Sequence, residues 1–110
     1  GRYARQALMS VAVLDALKPR IVSGESVRTV LSWTANGETE AAVVYATDAR
    51  VESKVKVAFT FPTGSHPPIV YPVAVLTGTT NATAAGDFLA FCKGPEGLAI
   101  FTTAGFTALP

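Results

Sequence analysis

The sequence has little of what most site chemistry uses. It carries one cysteine, Cys92, and one histidine, His66, in 110 residues. A single thiol excludes an internal disulfide and a thiolate pair for zinc. A lone histidine with no Cys, Asp or second His at ligand spacing has no donor set for a metal centre. Charge is scarce too: 15% of residues are charged and the net charge is +1. Lys and Arg do not cluster, so bulk charge argues against a nucleic-acid or anionic-membrane surface. No apolar run reaches the roughly 20 residues that cross a bilayer. No signal peptide is visible, nor would a trimmed chain show one. Nucleophilic catalysis also lacks its parts. Ser65-His66 has no third partner, and Asp48 has no second carboxylate placed to share acid–base work. An enzyme is therefore not expected.

What is present is apolar and patterned. Hydrophobic residues make up 49% of the chain, too many for a disordered segment, and the length allows one small domain. Arg2 to Leu17 reads as a helix, with Ala4, Ala7, Leu8, Val11, Leu14 and Leu17 on one face and Pro19 as its stop. Arg20 to Ser23 reads as a short strand. Glu25 to Ala35 reads as a helix entered through Gly24 and closed by Asn36-Gly37. Ala41 to Ala46 is a continuous apolar run, as in a strand buried on both faces. Thr47 or Asp48 then caps a short turn over Ala49 to Glu52. Val55 to Phe61 and Ile69 to Leu76 read as strands, separated by the turn-rich stretch Pro62 to Pro68. Asn81 to Cys92 reads as a helix with Phe88 and Leu89 inward. Pro95 opens the last helix and Gly105 closes it. The expected class is α/β.

The segments GRYARQAL, SGESVRTVL, AAVVYATDA, VKVAFTFPTGSHPPIVYPVAVL and FLAFCKGPEGLAIFTTAGF, in that order, resemble the C-terminal half of the periplasmic molybdate-binding proteins. The resemblance covers essentially the whole chain. It implies a periplasmic-binding-protein-like fold (type II), present as a partial chain with parts of both lobes. Residues 1–58 would be the C-terminal half of the second lobe, 59–70 an inter-lobe crossover, and 71–110 the C-terminal part of the first lobe. Two serine-bearing loops that contact the anion in the family would lie upstream. The resemblance further implies capture of molybdate, with tungstate, for the membrane permease of an ABC transporter, in a periplasmic or extracytoplasmic location. No cofactor is implied, and the molybdate would be held as an oxyanion rather than by metal ligation.

By the same resemblance three residues are ligand donors: the Val27 amide, the Tyr45 hydroxyl, and an N–H at the helix start beside Gly1. The chemistry is coherent, because helix N-termini present free N–H groups and a partial positive charge to an anion. From pattern alone, a tyrosine at the end of a strand is more often a packed aromatic with a satisfied hydroxyl, and Val27 reads as a core residue. Asp48 reads as a cap or a brace for Tyr45, Trp33 as packing, Cys92 as a small buried hydrophobe, and Asn81 as a cap. Sulfate or another oxyanion is the rival ligand, and a self-associating structural or regulatory half-protein is the rival role. Apolar strands without neighbours imply a homo-oligomer of the isolated chain.

Overall fold

The computed structural model describes residues 1–109. Pro110, the last position of the expected 71–110 segment, lies outside the described residues. The chain falls into two units, Gly1–Ile69 and the part from Val70 onward.

In the first unit the single helix expected over Arg2–Leu17 is broken. Helix α1 spans Arg2–Ser10 and α2 spans Leu14–Leu17, followed by a 3-10 turn over Lys18–Arg20. The break is a Schellman closure. The Ala12 N–H donates to the Met9 carbonyl at 2.9 Å and the Val13 N–H to the Leu8 carbonyl at 3.1 Å. Ala12 takes φ 58°, a left-handed geometry usually given to glycine. Apolar spacing continues through Val11, Leu14 and Leu17, which hides the break from a periodicity reading.

Helix α3 spans Val27–Ala35. It starts two residues later than Glu25 because Ser26 is its cap: Ser26 Oγ accepts from the Thr29 amide at 3.1 Å. It ends as expected at Asn36-Gly37. Gly37 has φ 79°, and the Glu38 N–H donates to the Trp33 carbonyl at 2.8 Å. Helix α4 spans Ala46–Val51, so the helical turn begins earlier than Ala49 and takes Ala46 from the expected strand.

The expected strands are corrected. Among the described residues there is no strand. Arg20 belongs to the 3-10 turn, and the stretches around 21–23, 41–45, 55–61 and 69–76 form neither helix nor ladder. The physical reason is that a strand exists only when a neighbour accepts and donates its backbone hydrogen bonds, and no two of these stretches pair. The α/β expectation is therefore not met within these residues, whose regular structure is helical.

The second unit holds α5, Ala82–Lys93, and α6, Pro95–Ala104. Asn81 occupies the N-cap of α5, but its side chain makes no capping bond. Pro95 opens α6 as expected. Gly105, at φ 100°, closes it, with the Phe106 N–H on the Phe101 carbonyl at 3.0 Å. The ring of Phe106 meets Phe101 edge-on at 6.0 Å and Tyr71 at 5.7 Å, the apolar contact that often accompanies this closure. Helices α5 and α6 pack closely because Gly97 has no side chain. A Cβ there would collide with the Phe91 carbonyl and lie 2.8 Å from Cys92 Cα. Cys92 is half-buried, and Phe88, expected inward, is exposed.

Burial is thin in both units. Ala7 at 1% and Leu31 at 6% relative exposure are the buried hydrophobic residues among those described. Val57, Phe59, Val73, Leu76, Phe88 and Ile100 are exposed. The accessible surface is 8691 Å², where a self-contained monomer of 11.4 kDa has about 5,800 Å². Large apolar side chains exposed in this number are the kind found at interaction surfaces.

Two glycine substitutions should move stability in opposite directions. A Cβ at Gly86 in α5 meets nothing within 4 Å, so Gly86→Ala should stabilise by about 0.5–1 kcal/mol through helix propensity. Gly97→Ala meets backbone that cannot swing aside and should cost about 1–3 kcal/mol. Urea unfolding of the two variants checks both signs.

Candidate functional site

The two expected donors of the first unit stand at neighbouring helix starts. Val27 is the first residue of α3, and Tyr45 is the N-cap of α4. Both are half-buried, and α3 packs on α4. Local sequence explains each start. Gly24 lets the chain pass close beneath α3: a Cβ there would lie 2.6 Å from Val30 Cγ1 and 3.3 Å from the Trp33 ring. Trp33 is thus a half-buried packing residue against the entry to the helix. The Ser26 hydroxyl then takes the Thr29 amide and also shares a 2.9 Å hydrogen bond with Thr29 Oγ1. The first bond within the helix runs from the Val30 N–H to the Ser26 carbonyl. Among the described residues the Val27 amide is left without a hydrogen-bond acceptor. In α4 the Tyr45 carbonyl accepts from the amides of Asp48 at 3.0 Å and Ala49 at 3.1 Å.

An ion pair locks the two starts together. Arg28 Nε donates to Asp48 Oδ1 at 2.7 Å. The Asp48 side chain is 10% exposed and that of Arg28 is 72% exposed. Asp48 is therefore not the cap of α4, a position held by Tyr45; it anchors Arg28. It also lies in the first turn of α4, where a negative charge is favoured. The α3 start thus carries the Val27 amide next to an arginine whose charge is already paired.

Sequence reasoning missed Arg28. The one available signal was an acid in an apolar stretch that needed a cation, and a separation of twenty positions does not reveal which one.

Gly1 is the N-cap of α1 and is exposed, and its carbonyl accepts the Arg5 amide at 3.1 Å. Helix α1 packs on α2, and α3 packs on α4. His66 lies in the turn after Pro62 with Nδ1 2.8 Å from the Pro67 carbonyl and its ring edge-on to Tyr3. Among the described residues no group of three or more His, Cys, Asp or Glu could hold a metal ion.

Comparison with known proteins places the chain in a family. Residues 1–107 match the family model of the bacterial extracellular solute-binding proteins. The chain belongs to that family, and its place is extracytoplasmic. It is 40% identical over 107 residues to the molybdate-binding protein ModA of Escherichia coli, covering 97% of this chain and 41% of that protein. It is 36% identical over 108 residues to ModA of Haemophilus influenzae, covering 98% of this chain and 42% of the relative. The same identity and coverage relate it to YvgL of Bacillus subtilis, named as an ABC transporter substrate-binding lipoprotein. The chain thus spans about two fifths of the length of these relatives. No solved structure matches it. Among the described residues no helix is long and apolar enough to cross a membrane.

The ion pair gives a direct test. A double-mutant cycle over Arg28→Ala and Asp48→Ala should show a coupling of about 0.5–1.5 kcal/mol. Arg28→Ala should be the costlier single change than expected for an exposed arginine, because it strands a carboxylate that is nearly buried. Chemical denaturation of the four proteins measures it.

Proposed function

We propose that these residues are the C-terminal part of a two-lobed receptor that captures a tetrahedral oxyanion, molybdate with tungstate as its analogue, for the membrane permease of an ABC importer. The observation that supports this is the uncommitted Val27 amide beside Tyr45, set by the Arg28–Asp48 pair at two adjoining helix starts. Gly1, at the start of α1, is the third donor of the proposal. The division into a second-lobe part (1–58), a crossover (59–70) and a first-lobe part (71–110) belongs to the same reading. So does an α/β architecture in which stretches such as 41–45 and 69–76 find strand neighbours in polypeptide corresponding to the rest of the relatives' length. The exposed apolar side chains are what such neighbours would cover. In their absence a second copy of the chain would serve, which is the basis for self-association.

The chemistry follows from charge. Arg28 is paired with Asp48, so the anion is held by dipoles and hydroxyls rather than by a free cation. That suits a ligand which must be released again. Sulfate carries the same charge as molybdate and is smaller, so cavity size separates them, and a sulfate competition titration discriminates the two. Catalysis forms no part of the reading.

In a protein of the relatives' full length, Tyr45→Phe removes one hydrogen bond to a charged ligand, about 1.5–3 kcal/mol. Calorimetric affinity for molybdate should fall roughly tenfold or more, with little change in unfolding midpoint. An unchanged affinity would make Tyr45 a packing residue.

The 110-residue chain alone should bind molybdate weakly or not at all, because donors expected from the other lobe are missing. Losing two charge-assisted bonds weakens binding by at least about a hundredfold. A titration of the isolated chain that gave submicromolar affinity would show a complete receptor instead.

A further inference from the structure

Two elements of the first unit meet at a contact that the binding site as described does not use. On α1, the Tyr3 ring stands edge-on to the His66 ring, with centroids 5.9 Å apart and an interplanar angle of 63°. Arg2 meets the same ring, its guanidinium carbon 5.3 Å from the centroid. His66 is itself fixed, since Nδ1 lies 2.8 Å from the Pro67 carbonyl and so carries the proton that it donates there. Each element also carries a buried side-chain oxygen without a hydrogen-bond partner, Gln6 Oε1 on α1 and Ser65 Oγ beside His66. Such atoms are costly and remain buried only where the surrounding packing holds the elements in place.

Tyr3 follows Gly1 by two residues. The bond that defines the helix start, from the Arg5 N–H to the Gly1 carbonyl at 3.1 Å, encloses Tyr3. Whatever holds the Tyr3 ring therefore holds Gly1. We infer that Tyr3 and His66 form a clasp that fixes the first turn of α1 on the Pro62–Pro68 turn, making them positioning residues for the Gly1 end of the anion site. The inference rests on the proposed reading that Gly1 is one of the donors. Neither ring touches the ligand in this scheme. Arg2, stacked on Tyr3, adds a cation–π contact to the same anchor.

The test uses a protein of the relatives' full length, with Tyr3→Ala, His66→Ala and the conservative Tyr3→Phe. Hydrogen exchange at the Arg5 amide, followed by NMR, reports whether the first turn is held. Molybdate affinity is measured by calorimetry on the same samples. Edge-on aromatic contacts of this kind support about a two- to tenfold effect. Both alanine variants should speed Arg5 exchange and weaken molybdate binding by that factor, and Tyr3→Phe should restore both. Arg5 exchange unchanged in both alanine variants would overturn the clasp, as would faster exchange with unaltered molybdate affinity. If the unmodified protein binds no molybdate, the functional reading fails, and Arg5 exchange alone then decides whether the clasp exists.

Discussion

The Arg28–Asp48 ion pair is the constraint on which the candidate site depends. Asp48 is the buried charged residue of the described chain, and a carboxylate removed from water without a partner is strongly disfavoured. Arg28 meets that need at 2.7 Å. Because Arg28 follows Val27 and Asp48 lies three residues after Tyr45, satisfying the carboxylate brings the start of α3 to the start of α4. Two local features then finish the geometry. Gly24 gives the entering chain room beneath Val30 and Trp33, and the Ser26 hydroxyl occupies the Thr29 amide. The Val27 amide is what remains available.

Under the proposed function, this arrangement decides how an anion would be held. An unpaired arginine at the site would attract any anion and release it slowly. A neutralised one leaves recognition to oriented N–H and O–H groups, whose strength depends on geometry. A small change in anion radius then alters every hydrogen-bond length at once. Selectivity among dianions of equal charge can arise in this way from shape. A nine-residue helix such as α3 supplies the partial positive charge that favours a dianion at its N-terminus.

Much of the helical structure was legible because its signals are local. Asn36-Gly37, Pro95 and Gly105 mark ends that the structure confirms through left-handed glycines and a proline at the first turn. The position of Val27 in the first turn of a helix entered through Gly24 was legible for the same reason. The break at Ala12 was not, since alanine stands where glycine would announce it. The strands could be suspected from apolar runs but not settled, because a strand depends on neighbours that a run of residues does not name. Arg28 and Asp48 were equally silent: their pairing is a tertiary contact, and neither residue type at either position predicts the other.

The most direct measurement is a crystal structure of a protein of the relatives' full length grown with molybdate. The account expects one tetrahedral anion within hydrogen-bonding distance of the Val27 amide nitrogen and the Tyr45 hydroxyl, with Arg28 still paired to Asp48. An anion bound elsewhere, or Arg28 turned away from Asp48 to contact the anion, would contradict it.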